Sequence, residues 1–230
     1  MEFFDDEAPF RQLGERGRFD GGFFQIATGT FVGPDGFTFE REIVRHPGAV
    51  CVVALEADGR HVLMIRQYRG AVDQGLLELV AGKRDIPDED PEVCAARELG
   101  EEIGRQASSF REVARFFNSP GFTDEQTICF LAQGLTECER EADGVEEENM
   151  TVERVALADV EELMTAGDLI DAKSIIGLLG ARAALGWTVR PPAPSPSPAR
   201  PPAPVSAPAP APRAPAPPPP AQPSSLGGQQ

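Results

Sequence analysis

The sequence predicts an α+β domain, a mixed sheet layered with few helices, preceded by antiparallel strands and followed by a disordered tail. Three observations predict it. Strand-type segments bounded by Gly, Pro and Asp turns dominate residues 23–132. Helical periodicity is confined to a few segments, which argues for a layered mixed domain over an alternating doubly wound sheet. Seventeen of the 23 prolines crowd between Pro191 and Pro223, a composition that cannot bury enough apolar surface to offset the entropy of ordering.

The elements follow in order. Residues 23–31 and 37–43 read as strands joined by the turn Gly33-Pro34-Asp35-Gly36. Residues 49–55 and 61–67 flank Ala57-Asp58-Gly59, a hairpin signal. Residues 76–80 read as one short strand. Residues 91–103 read as a helix, with Asp90 as cap, Pro91 in the first turn and Gly104 just past the end. Val93, Ala96, Leu99 and Ile103 would form its apolar stripe, leaving the glutamates mainly on the other side. Gly100 inside this helix costs roughly 1 kcal/mol against Ala, which points to close packing or a backbone approach. Residues 111–117, 127–132 and 150–157 are strands, and 137–149 is a polar acidic segment. Residues 159–166 and 172–185 are helices, the last capped by Asp171 or Ser174. Residues 1–48 therefore form N-terminal strands, 49–186 the main domain and 187–230 the tail.

The formal net charge is −16, and the tail contributes only three arginines, so residues 1–186 carry −19. Such a body repels nucleic-acid backbones. It also repels phosphate esters unless metal ions reverse the local sign. Two histidines exclude a His-rich zinc site. The four cysteines form no CxxC pair. No signal peptide and no membrane span are expected, which together with the cysteine usage fits a reducing cytoplasm. G-x-S-x-G, HExxH and P-loop motifs are absent.

The chemistry concentrates in Arg97-Glu98-Leu99-Gly100-Glu101-Glu102-Ile103-Gly104. On a helix, Glu98, Glu101 and Glu102 fall at i, i+3 and i+4, where like charges repel. Alone, such a run would be a solvated acidic face. A hard divalent cation among carboxylate and carbonyl oxygens would explain it better. A simple calcium loop is disfavoured, because residues 85–90 lack the glycine and the spaced ligands of an EF-hand.

Gly82, six residues, Glu89, seven residues and then Arg97 to Gly104 closely resemble the Nudix box. There is one extra residue before Glu89, and Arg105 stands where an aliphatic is usual. The resemblance implies a Nudix-type α/β/α sandwich that hydrolyses a nucleoside diphosphate linked to another group. It implies Mg²⁺, with Mn²⁺ as an alternative. It makes Glu98 and Glu102 the principal metal ligands, Glu101 a further ligand or catalytic carboxylate, and the Ala81 carbonyl another donor. Gly82, Glu89, Arg97 and Gly104 hold the box together.

Glu78-Leu79-Val80-Ala81-Gly82, Gln67-Tyr68-Arg69 and the segment from Ser119 to Glu125 resemble the ADP-ribose pyrophosphatase branch, in which a proline sixteen positions past the box is typical; here it is Pro120. This implies that Arg69, Glu78 and Pro120 serve substrate binding. The branch takes its general base from a later acidic loop, here Glu146, Glu147 or Glu148, with Glu147 preferred. It also implies a homodimer built on the N-terminal strands. The expected reaction splits ADP-ribose or a related nucleoside diphosphate sugar into a nucleoside monophosphate and a sugar phosphate. GDP-mannose or another sugar nucleotide is the alternative substrate. A non-catalytic ligand sensor is disfavoured because all three box glutamates are present.

Overall fold

A computed structural model describes residues 9–141 and 145–187, without the side chains of Glu146 and Glu147. The tail expectation therefore lies outside the described residues. In chain order the strands are β1 (Arg11–Asp20), β2 (Gln25–Val32), β3 (Thr38–Arg45), β4 (Ala49–Leu55), β5 (His61–Arg69), β6 (Gln74–Glu78) and β7 (Val80–Lys83). Helix α1 (Pro91–Ile103) follows, then β8 (Arg105–Gln106), β9 (Ser109–Phe117), β10 (Gln126–Gln133) and β11 (Thr136–Glu137). The chain continues through α2 (Val145–Glu148), β12 (Thr151–Ala156), α3 (Val160–Ala166) and α4 (Ala172–Ala184).

The N-terminal strands form an antiparallel sheet in the order β1-β2-β3. The expected turn closes β2 onto β3, with Gly36 N–H donating to the Gly33 carbonyl at 3.0 Å. Strand β1 has no counterpart in the sequence reading. Its segment holds two glycines among charged residues and is exposed at all ten positions. It is a strand because it pairs with β2.

The larger sheet runs β12-β5-β4-β10-β9, with β6 on β5 and β7 on β4. The β4–β10 pair is parallel and the other pairs are antiparallel, so the sheet is mixed as expected. Strand β4 is buried at all seven positions. Its alternate side chains serve two cores. Cys51, Val53 and Leu55 pack with Leu157, Val160, Leu178 and Ala181 on the α3–α4 side. Val50, Val52 and Ala54 pack with Cys94, Ala95 and Leu99 of α1. This is the α/β/α sandwich.

Three expectations need correction. Gly100 does not mark a close approach: a Cβ there would meet nothing nearer than 3.9 Å, at the Arg105 carbonyl and Cys138 Sγ. Residues 76–80 are not one strand. The chain leaves β5 at Glu78 and joins β4 at Val80, and between them the Leu79 N–H donates to Ser174 Oγ at 2.8 Å. The stripe on α1 is also different. Val93 is 58% exposed, and the buried face is Cys94, Ala95, Glu98, Leu99, Glu102 and Ile103. Counting apolar letters misplaced the face because two glutamates belong to the inward side.

Candidate active site

The caps of α1 fix the box. Asp90 accepts from the Glu92 N–H at 2.8 Å, and Gly104 ends the helix in the left-handed conformation at φ 62°. A Cβ at Gly104 would also meet the Cys138 carbonyl at 3.0 Å. The extra residue before Glu89 is absorbed in a turn, in which Glu89 N–H donates to the Ile86 carbonyl and Asp88 adopts φ 61°. Arg105 forgoes the usual apolar contact. It sits in the short β8–β11 ladder and pairs with Glu137 at 3.4 Å.

Arg97 resolves the repulsion among the glutamates. Its Nε and Nη2 donate to Glu89 at 3.1 and 3.2 Å, while Nη1 donates to Glu98 at 2.9 Å and Glu101 at 2.8 Å. The Arg97 hydrogen bonds hold the Glu89 carboxyl below the usual carboxylate range. Burial, followed by the nearby Glu89, pushes the Cys94 thiol up to about 12, so Cys94 stays a protonated packing group.

Glu98 and Glu102 are 7% and 3% exposed. They converge on β7: Ala81 N–H donates to Glu102 Oε2 at 3.2 Å, and a Cβ at Gly82 would lie 1.8 Å from the Glu98 carboxyl carbon. Gly82 thus leaves the space that the Glu98 carboxylate occupies. Two buried carboxylates beside the half-buried Ala81–Gly82 backbone make an oxygen-rich cradle suited to a hard divalent cation.

A second charged group stands on β5, β6 and α4. Arg69 forks onto both oxygens of Glu78 at 2.8 and 2.7 Å. Glu78 is 1% exposed and also accepts from Lys173, whose ammonium donates to Asp171 at 2.9 Å. Burial raises the Glu78 pKa, but Arg69 and Lys173 outweigh it, and the carboxyl lies below its ordinary value. Asp171 caps α4 through the Ser174 N–H at 2.9 Å, as expected.

Both groups reach one cleft of about 1100 Å³, the first through Ala81, Gly82, Arg97, Glu98, Glu101 and Glu102, the second through Arg69, Asp171 and Lys173. Glu78, expected to serve substrate binding, does not line it: it is buried behind Arg69 and Lys173. Pro120 is exposed in a turn in which Phe122 N–H donates to the Ser119 carbonyl; its neighbours Asn118 and Ser119 line the cleft. Glu148 is exposed on α2, and the side chains of Glu146 and Glu147 lie outside the described residues. Strand β12 pairs Thr151 with Arg66 of β5, which sets α2 beside the end of β5 that bears Arg69.

Sequence reasoning missed Phe23, His46, Glu125, Glu141 and Lys173 on the cleft wall. Phe23 meets His46 edge-on at 5.6 Å, with Lys83 Nζ 4.9 Å above its ring. Two of them had a signal: Lys173 stands beside the capping Asp171, and Glu125 closes the segment that begins at Ser119.

Among the described residues, the tightest grouping of ligand-type atoms lies elsewhere, at Glu56, Asp58 and His61, within 4.8 Å of one another. Arg154 donates to Asp58 at 2.7 Å and also to Glu56. That grouping is an exposed ion-pair node already holding a cation.

The NUDIX domain profile matches residues 44–176. An ADP-ribose pyrophosphatase of Bacillus subtilis is 38% identical over 141 residues, 61% of this chain and 75% of that protein. An ADP-ribose pyrophosphatase of Mycobacterium tuberculosis is 36% identical over 158 residues, 69% of this chain and 76% of that one. A crystal structure of an ADP compounds hydrolase superposes with a TM-score of 0.68 at 22% identity, covering 78% of this chain and 95% of the other. That superposition supports the sandwich fold.

Proposed function

This chain belongs to the NUDIX domain family and is a Nudix hydrolase, and on that premise we propose that it splits the diphosphate of ADP-ribose into AMP and ribose 5-phosphate. The observation that carries the reading is the pairing of a carboxylate cradle with a cationic wall in one cleft. The cradle is Glu98, Glu102 and the Ala81–Gly82 backbone; the wall is Arg69 and Lys173. A diphosphate needs both, because its oxygens repel a nucleophile and the cleft is itself acidic.

Glu98, Glu102 and the Ala81 carbonyl would hold Mg²⁺, with Glu101 in support and Mn²⁺ as a substitute. When bound, such a cation neutralises phosphate charge and lowers the pKa of a water. Arg97 keeps the ligands in place through its hydrogen bonds to Glu98 and Glu101. Arg69 keeps Nη1 clear of Glu78 for a phosphate oxygen. The general base comes from the glutamates of α2, Glu147 first, with Glu146 and Glu148 beside it. The support is the register that sets α2 next to Arg69. Phe23, 48% exposed at the cleft edge, offers a ring for base stacking.

We place the protein in the cytoplasm as a homodimer. Four free thiols agree with a reducing compartment. No helix among the described residues is long and apolar enough to cross a membrane. Phe10, Leu13, Phe19 and Phe37, 49–68% exposed on or beside the N-terminal sheet, supply an apolar surface for a second copy.

The test is product identification with Mg²⁺ and a parallel panel of ADP-ribose and GDP-mannose. AMP and ribose 5-phosphate should appear, and Glu102→Gln should abolish them. No AMP above the Glu102→Gln control would sink the reading, and faster turnover of GDP-mannose would transfer it to that substrate.

A further inference from the structure

We infer that Lys173 is a second phosphate anchor, coupled to Arg69 through the one carboxylate of Glu78. The inference rests on the diphosphatase reading of the cleft and gives Lys173 of its cationic wall a defined role. A guanidinium has five N–H donors and an ammonium three. Arg69 uses Nε and one N–H of Nη2 on Glu78, which leaves three, the two N–H of Nη1 and the second of Nη2. Lys173 donates to Glu78 and to Asp171 Oδ1, which leaves one N–H. Both side chains line the cleft.

Burial makes the arrangement specific. Glu78 is 1% exposed, and the Lys173 side chain is 16% exposed. A lysine kept that far from water by two carboxylates, at the wall of a cleft, is fixed in place before any ligand arrives. Asp171 is itself fixed, since its other oxygen accepts from Ser174 N–H at 2.9 Å and Ser174 Oγ at 2.5 Å. Little side-chain entropy then remains to be lost when an anion binds.

The charge around the cleft explains the need. Its lining includes seven carboxylates and four cationic side chains. Of the four, Arg97 is committed to the box carboxylates, and Lys83 lies over Phe23. Arg69 and Lys173 are the two that stand away from the box helix, on β5 and α4. Two point donors on one buried carboxylate match a ligand with adjacent anionic oxygens, such as a diphosphate or a terminal phosphate.

The test compares wild type, Lys173→Gln and Lys173→Arg in two assays. For ADP-ribose hydrolysis with saturating Mg²⁺, Lys173→Gln should raise KM about 10–100-fold, the value of a charge-assisted hydrogen bond, with kcat within about threefold. Lys173→Arg should recover most of the loss. Calorimetry with inorganic pyrophosphate and Mg²⁺ should show the same ratio of affinities, independently of turnover. A wild type that binds pyrophosphate but leaves ADP-ribose intact overturns the substrate reading and leaves the anchor standing. Equal pyrophosphate affinity in wild type and Lys173→Gln overturns the anchor. So does a loss confined to kcat with a lowered thermal midpoint, which would make Lys173 a structural partner of Glu78.

Discussion

Replacing Gly82 by Ala should disable the site while sparing the fold. The added methyl would lie 1.8 Å from the Glu98 carboxyl carbon and 1.9 and 2.3 Å from its oxygens. Ordinary contact between such atoms is about 3.5 Å, so the carboxylate must retreat by roughly 1.5 Å. The atoms in the way are the far end of a flexible side chain, and the retreat forfeits the Glu98–Arg97 hydrogen bond, worth about 1 kcal/mol net for a pair whose side chains are 10% and 27% exposed. For a chain of this size that lowers the thermal midpoint by about 2–4 °C. The chemical consequence is larger. Metal–ligand distances tolerate about 0.2 Å of error, and misplacing a catalytic group by about 1 Å costs roughly 100-fold in rate. The assay is ADP-ribose hydrolysis titrated with Mg²⁺, beside a thermal melt. We expect at least about a 100-fold fall in rate at low Mg²⁺ with a nearly unchanged melt. Unchanged Mg²⁺ dependence would refute the claim that Glu98 occupies this space for a cation. A midpoint lowered by more than about 8 °C would refute the claim that the side chain absorbs the strain.

Gly100→Ala should stabilise the protein by about 0.5–1 kcal/mol in urea unfolding, because its Cβ would meet nothing nearer than 3.9 Å; a loss of stability would show that the glycine serves packing after all. Glu78→Gln should cost about 3 kcal/mol at neutral pH, since it leaves Arg69 and Lys173 without their buried counter-charge. The folded Glu78 carboxyl sits below its ordinary value, so its contribution is complete above about pH 4.3 and is lost as pH falls through the lower folded value. Urea midpoints of wild type and Glu78→Gln should therefore converge on acidification, and a gap that widens would contradict the pairing. Phe19→Glu should halve the mass seen by light scattering if the N-terminal sheet holds a dimer, whereas an unchanged mass would move the interface elsewhere.

The strands with apolar periodicity were legible because their burial is periodic. Strand β4 shows both faces as a continuous apolar run, and β10 repeats it. Strand β1 was not legible: Arg11–Asp20 gains its conformation from hydrogen bonds to β2 and buries none of its residues, so no hydrophobic signal marks it. The split at Leu79 was hidden for the opposite reason. Glu78, Leu79 and Val80 are all buried, and an unbroken buried run carries no sign of which neighbour each residue pairs with.

The site divides along the same line. Glu98, Glu101, Glu102 and Arg97 lie within one helix, and their relative placement follows from 3.6 residues per turn; the sequence could therefore bring them together. Their environment could not be read so directly. Treating glutamates as outward-facing put Val93 on the inner stripe, yet Glu98 and Glu102 are the buried residues and Val93 is 58% exposed. A buried acid has to be compensated, and here the compensation is Arg97 and the Ala81 N–H. For Glu78 the compensation comes from Arg69 nine residues away and Lys173 ninety-five residues away. The first is a hairpin neighbour and can be guessed. The second depends on α4 packing back on β4, β9 and β10, which brings Ser174 to the Leu79 N–H at the junction of β6 and β7. Local geometry thus discloses the carboxylates of a diphosphatase, while the cations that let an acidic cleft accept an anion are assembled by topology.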